Sequence, residues 1–370
     1  MDIHVEDTGL VYRNPSPNVW SKQAFFPSVI QRPSGELLVS FDMGSAMENA
    51  DVRTYLCRST DNGKTWSDPA CIYEPEGLDV PTSTLGRLSQ LSDGTLVALL
   101  ILCDRSRGEF GLANPKTEGY VETRFVVLRS NDGGISWSKP ERVSPPIHWN
   151  AFEICSPIHP VSNTRWLLPT SIWRNWDGDC PDGMKAVVFL SDDQGTTWSR
   201  CVDVMNLWDQ QVTSWEQKHA RLSDGRWMVI CWAYDYARNV SLPNRYTFTS
   251  DLGGTYDPPM VAPLAGETCA PLGMPDNHIL CIYRRVDERG LWAHLARIDG
   301  ETWIPLKDEP LWGTSKESYS LHSTSKIEEM ATLRFGYPQV IRLADGHFFV
   351  VFWCVEECVA NIRWFRLSLD

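Results

Sequence analysis

One pattern recurs along the chain: an apolar run, a short polar turn built on Asp, Asn, Ser and Gly, and a second apolar run. It reads FPSVIQRPSGELLVSF from Phe26, GRLSQLSDGTLVALL from Gly86, SPIHPVSNTRWLLPTS from Ser156, QKHARLSDGRWMVICW from Gln217, CAPLGMPDNHILCIY from Cys269 and PQVIRLADGHFFVVFW from Pro338. Apolar runs of this length, bounded by turn residues, predict strands joined as hairpins. Six copies in 370 residues leave about 62 residues each, room for one four-stranded blade. The expectation is an all-β fold, a six-bladed β-propeller of antiparallel blades using residues 1–370 as one domain. The N-terminal LVYR is expected to pair with the C-terminal NIRWFRLSL, closing the ring and removing exposed sheet edges.

A second repeat lies between these units. Ser59–Trp66, Ser130–Trp137 and Ser191–Trp198 each read S-x-D-x-G-x-[ST]-W; Thr249–Tyr256 is a weaker copy and Ile298–Trp303 a degenerate one. Each follows an extended run, so it predicts a hairpin turn in which Asp and hydroxyl side chains bond turn amides and Gly supplies positive φ. The aromatic residue then packs between blades. Meander order places these turns, with the SGE, SDG and ADG turns, on one face. The other face receives the loops expected near 43–52, 103–121, 173–185, 233–245, 284–290 and 354–360, which is where binding and chemistry are usually built.

Composition narrows the partners. The formal charge of −13, with no basic run, disfavours nucleic acid. No apolar stretch reaches the ~18 residues of a membrane span. The start, MDIHVEDTGL, lacks a basic segment followed by an apolar one, so an unexported, cytoplasmic chain is expected. An unexported chain would leave the sequon Asn239-Val-Ser241 unused. The 11 cysteines are odd in number and scattered through apolar runs, which reads as reduced thiols. Zinc, nucleophile-elbow and nucleotide motifs are missing, so no cofactor is expected. Asp177, Asp179 and Asp182 are an acidic group without calcium-loop spacing.

The boxes on a six-bladed pattern resemble the Asp-boxes of the sialidase (neuraminidase) superfamily, over nearly the whole chain. That resemblance implies an Asp general acid, a Tyr nucleophile activated by Glu, and three arginines gripping a carboxylate. Glu216 and Tyr337 each lie nine residues before a turn glycine, so they share one height on the axis and match the family's Glu and Tyr. A phenol of pKa near 10 needs such a carboxylate to take its proton. Asp51 falls where the acid stands, and Arg289 fits the third arginine. Phe25 replaces the first arginine, and Cys231-Trp232-Ala233 occupies the place of the second, with Arg238 six residues beyond. Phenylalanine cannot replace a bidentate guanidinium, so sialic acid is disfavoured. Phe25, Phe26, Trp173, Trp176 and Trp215 are candidate sugar platforms. Arg105, Arg107, Arg174, Arg238 and Arg284 keep an anionic sugar open, and His148 and His219 are candidate acids or bases. The expectation is a glycoside hydrolase that cleaves a terminal, non-sialic sugar, an acidic one included, with Asp51, Glu216 and Tyr337 catalytic and Arg289, Phe25, Trp215 and Arg238 binding substrate. A rebuilt exo-sialidase, a uronate lyase and a non-catalytic sugar-binding propeller are the alternatives.

Overall fold

The computed structural model describes residues 1–107, 111–314 and 332–370. They form six four-stranded antiparallel sheets, a six-bladed β-propeller. Five blades use consecutive strands; the sixth combines the N-terminal strand Ile3–Tyr12 with Phe335–Arg342, Phe348–Glu356 and Val359–Leu369. Ile3 lies opposite Leu369 and Tyr12 opposite Ile362, so the expected ring closure is present. The innermost strands are Gln23–Gln31, Thr82–Gln90, His159–Pro160, Val212–Arg221, Gly266–Gly273 and Phe335–Arg342. Second strands such as Leu37–Gly44 and Trp166–Ser171 are buried along their whole length, because both faces meet neighbouring blades. Such strands carry near-continuous apolar runs, which is why the repeat is readable.

Blade three departs from its prediction. Only His159 and Pro160 ladder in its inner strand, with an isolated bridge from Phe152 to Ile172. Pro157 and Pro160 offer no N–H to a ladder, so the segment before them is held by side-chain and loop contacts instead.

The four box turns share one bonding scheme. Ser59 Oγ donates to Asp61 at 2.8 Å and accepts the Gly63 amide at 2.9 Å; Asp61 accepts the Thr65 amide and hydroxyl at 2.9 and 2.6 Å. Equivalent bonds recur around Asp132, Asp193 and Asp251. The Thr65 and Thr197 donors pull the Asp61 and Asp193 carboxyls down to about 2. At the degenerate copy, Asp299 pairs with Thr302 across a two-residue turn, and Trp303 still packs on Tyr246 of blade four at 5.3 Å. The aromatic wedge survives there in a tighter hairpin.

The loop face is less even than expected. Loops at 45–52, 105–122 and 172–185 are long, although 108–110 lie outside the described residues. In blades four, five and six the second and third strands run on to Asp235 and Val240, Arg285 and Gly290, and Glu356 and Val359. The loops expected over 233–245, 284–290 and 354–360 are therefore tight hairpins.

The box glycines of blades one, two and four also seat their blade on the one before it. Gly134 has φ +84°, and a Cβ there would stand 2.6 Å from Leu56 of blade one. Gly94 has φ +90° with open space around it. Gly94→Ala is expected to cost about 1 kcal/mol, the left-handed backbone penalty alone. Gly134→Ala adds overpacking and is expected to cost about 2–4 kcal/mol in all. Urea midpoints at unchanged m check both; equal losses would show that the interblade contact contributes nothing.

Candidate active site

Three inner strands bulge at one height. Pairing skips from Phe25 to Ser28 in blade one, from Trp215 to Lys218 in blade four and from Gly336 to Gln339 in blade six. The first residue of each skip, Phe26, Glu216 and Tyr337, has φ of +50°, +48° and +50°. A left-handed residue with a Cβ costs about 1–2 kcal/mol, and such positions gather at functional sites. Pro27 and Pro338 explain two of the bulges, since they bring no N–H to the ladder. In the third, the Gln217 side chain donates to Thr170 O and Val187 O at 2.5 and 2.8 Å.

Below the bulges the axis is filled by a polar network. Arg87 Nε donates to the Tyr337 hydroxyl at 2.9 Å, and Arg87 Nη1 donates to Asp42 at 3.0 Å. Asp42 also accepts from Thr54 at 2.8 Å and from the Gly86 amide at 2.9 Å. The Tyr337 hydroxyl donates to the carbonyls of Ile154 and Cys155. Lys218 Nζ donates to Cys155 O at 2.5 Å and stands 3.6 Å from the centre of the Tyr337 ring, with the Arg87 guanidinium 4.3 Å from it. Two cations against one aromatic ring draw on its negative faces. Burial pushes Asp42 up to about 6 against the pull of Arg87, and burial followed by the Arg87 charge drives Lys218 down to about 7. Tyr337 is raised, chiefly by burial.

Above this floor lie two glutamates. Glu153 Oε1 accepts the Glu216 amide at 2.7 Å and the Cys155 thiol at 2.8 Å, and Oε2 accepts Trp173 Nε1 at 2.8 Å. Burial first, and the charge of Glu216 second, push Glu153 up to about 7 in spite of these three donors. Glu216 Oε2 is buried and, among the described residues, has no hydrogen-bond partner. Two carboxyl groups placed so that one holds its proton into the neutral range are suited to proton transfer. Neither Glu153 nor Arg87 was singled out from sequence. The available signal was a charged residue inside an apolar segment beside a turn, FEICSPIH and GRLSQLSDG.

The structure brings Glu216 and Tyr337 to one height, and the Glu216 charge contributes to raising the phenol. Asp51 is held in its own loop, accepting the Ser45 amide at 3.0 Å and hydroxyl at 2.6 Å. Among the described residues no hydrogen bond or ion pair joins it to Glu216 or Tyr337. Phe25 is 5% exposed and packs on Trp353 at 5.2 Å, and Trp215 is 1% exposed. The Trp215 ring stacks on Trp173 at 4.9 Å and faces Tyr234 at 6.0 Å. Both aromatics are core residues whose faces are covered, so neither offers the expected sugar platform. Arg238 has a side chain 79% exposed on the Asp235–Val240 hairpin, 3.6 Å from Asp235. Arg289 has φ +47° in the next blade's hairpin, where its carbonyl accepts Trp292 Nε1 at 3.1 Å. Arg284 is buried against Glu267 at 2.6 Å. His219 is buried and stacks on His159 at 4.9 Å, while His148 is exposed. Among the described residues no group of three or more His, Cys, Asp or Glu is placed to hold a metal, all eleven cysteines are free thiols, and no helix is long and apolar enough to cross a membrane.

These features define a six-bladed propeller with two neighbouring glutamates, Glu153 and Glu216, at the convergence of its inner strands. Residues 110–350 match the BNR repeat-like domain, and the chain belongs to that family. Among solved structures, a protein of unknown function from Dyadobacter fermentans is 22% identical over 100% of this chain and 99% of its own, with a TM-score of 0.73. The NanB sialidase of Streptococcus pneumoniae is 12% identical over 98% of this chain and 70% of its own, TM-score 0.66. The α-L-arabinanase of Penicillium chrysogenum, complexed with arabinobiose, is 15% identical over 98% of each chain, TM-score 0.66. At these identities the likeness is one of fold. No curated protein matches the sequence significantly.

Two outcomes test the axis. Arg87→Met leaves Asp42 buried without its cation and is expected to cost about 3–5 kcal/mol in urea unfolding, with much of the loss recovered on adding Asp42→Leu. The second concerns His159, which burial, followed by the Lys218 charge, holds at about 4. The unfolded chain takes up this proton near 6.5 and the folded chain only near 4, so this contribution to stability rises with pH across that window. Asp42 and Glu153, shifted upward, contribute with the opposite sign, so the difference between wild type and His159→Gln isolates the histidine. The variant is expected to gain on wild type as pH falls from 6.5 to 4 in parallel melts; a constant difference would contradict this.

Proposed function

We propose that the chain is a glycoside-cleaving enzyme acting on a non-sialic sugar, with Glu153 and Glu216 as its proton-transferring pair. The observation that carries this reading is Glu216 Oε2, a buried carboxylate oxygen with no partner among the described residues. Leaving such an atom unsatisfied costs free energy that a ligand hydroxyl or water would return. Glu153, holding its proton into the neutral range, is the donor to the leaving oxygen, and Glu216 is the base or nucleophile. Tyr337 forms the floor: its hydroxyl is engaged with Arg87 and two carbonyls, so attack by the phenol would first require those bonds to break. A non-sialic substrate is supported by Phe25 at the place of a gripping arginine and by the engagement of Arg87 with Asp42 and of Arg284 with Glu267. The arabinobiose held by the Penicillium arabinanase makes a neutral sugar a natural first probe.

Aryl sialoside, uronides, neutral hexosides and pentosides, each bearing a fluorogenic leaving group, test the reading. Cleavage of one non-sialic substrate is expected, reduced at least 100-fold in Glu216→Gln and in Glu153→Gln. In wild type, turnover is expected to fall above about pH 7, where Glu153 loses its proton. Full activity in Glu216→Gln would overturn the assignment. Loss in Asp51→Asn with activity kept in Glu153→Gln would return the acid role to Asp51. Abolition in Tyr337→Phe, against the slowed turnover expected of a floor residue, would make the phenol the nucleophile. Cleavage of the sialoside alone would mark a sialidase, and an unsaturated product absorbing in the near ultraviolet would mark a lyase.

A further inference from the structure

Apart from the axial site, the structure carries a cleft between blades two and three, lined by Asp104, Arg107, Glu122, Asn150, Trp176 and Asp177. Its volume is about 200 Å³, below the ~300–1,000 Å³ of a site that encloses a drug-sized ligand. A space of that size takes a single ring and leaves the rest of a chain outside. The Arg107 guanidinium lies 4.9 Å from the centre of the Trp176 ring, an arrangement that fixes the plane of its N–H donors. Asp104 accepts the Ser106 amide at 2.7 Å and Glu122 accepts the Asn150 side-chain amide at 2.8 Å, each through one oxygen. The wall therefore offers both acceptors, on Asp104 and Glu122, and donors, on Arg107. A sugar hydroxyl, which donates once and accepts twice, is the ligand group that satisfies both at adjacent positions.

The cleft also adjoins the catalytic pair. Tyr120 lines it, and the Tyr120 ring packs on Trp173 at 5.3 Å, whose indole N–H holds Glu153 at 2.8 Å. Two side chains separate the cleft from the axis, a short distance for a chain lying across both. Three carboxylates against one guanidinium make the wall anionic, which repels a uronate or a sialic acid and accepts a neutral ring.

We propose that this cleft binds one neutral sugar ring of an oligosaccharide whose reacting linkage lies at Glu153 and Glu216, so that the substrate is an uncharged chain longer than a single unit. The inference rests on the proposed glycosidase reading for the identity of the reacting linkage, and it is tested separately from it.

Isothermal titration of the full-length Glu216→Gln protein with arabinotetraose, xylotetraose, mannotetraose, cellotetraose and tetragalacturonate is the direct test. One of the four neutral chains is expected to bind and tetragalacturonate is not, with affinity falling at least tenfold in Glu216→Gln/Trp176→Ala and in Glu216→Gln/Arg107→Ala. Far-ultraviolet circular dichroism of each double variant guards against misfolding, and Arg107→Lys, which keeps the charge and loses the planar fork, is expected to be nearly as weak as Arg107→Ala. Preference for tetragalacturonate, absence of binding by all four neutral chains, or unaltered affinity in both cleft variants would overturn the inference. Aryl glycoside turnover that depends on Glu216, with no neutral chain bound, would remove this inference and leave the glycosidase reading standing. Binding that depends on Trp176 without turnover of any substrate would do the reverse.

Discussion

The bond between Arg87 and Tyr337 crosses the axis of the ring, and most of what is unusual in the molecule follows from it. Arg87 belongs to blade two and Tyr337 to blade six. Through the same two side chains the axis reaches Asp42 of blade one and the carbonyls of blade three, and Lys218 adds blade four at Cys155 O. Arg284 of blade five donates to Phe335 O of blade six at 3.2 Å. Every blade thereby contributes to charge-assisted or carbonyl bonds between blades, five of them through the connected network of Arg87, Asp42, Tyr337, Cys155 O and Lys218. Apolar packing between blades supplies most of the stabilisation, as it does in any closed array, but it is non-directional; the axial bonds specify which side chain meets which.

Convergence also explains the protonation states. Side chains pointing inward share a small space from which water is largely excluded, so each charged form is penalised. Asp42 and Glu153 rise, and Lys218 and His159 fall. Asp42, Glu153 and Lys218 are thus brought toward a common range near neutrality by burial, whereas His159 is carried away from it. Glu153 and Glu216 are half-buried, whereas Asp42, Arg87 and Lys218 are buried.

Much of the fold was legible because its signals are local. A box places Asp, Gly and an aromatic within eight residues, and each bond it makes closes inside that turn. Glu216 and Tyr337 could be found for a related reason: both are a fixed count from a turn glycine, and the bulge that lifts them is built by their own strand. Glu153 had no such ruler. Its turn lacks glycine, and Pro157 and Pro160 interrupt the ladder that would have set its register. The burial of Phe25 and Trp215 was illegible for a different reason, since it depends on Trp353 and Trp173 from neighbouring blades. The loops of blades four to six came out too long because an extended strand that continues past its apolar run carries no mark of doing so. The Asp51 loop was located correctly as a loop, while its closure on Ser45 depends on side-chain geometry that spacing does not encode.

The stacked pair of Trp173 and Trp215 has an optical meaning. Two indoles 4.9 Å apart and 13° from parallel have strongly interacting transition dipoles, and one of the two is hydrogen-bonded to Glu153. The protein thus carries a built-in chromophore dimer whose rotational strength is tied to the position of one carboxyl group. Any movement of that carboxyl group would disturb the indole it holds, and a change in the geometry of the pair would change its ultraviolet dichroism.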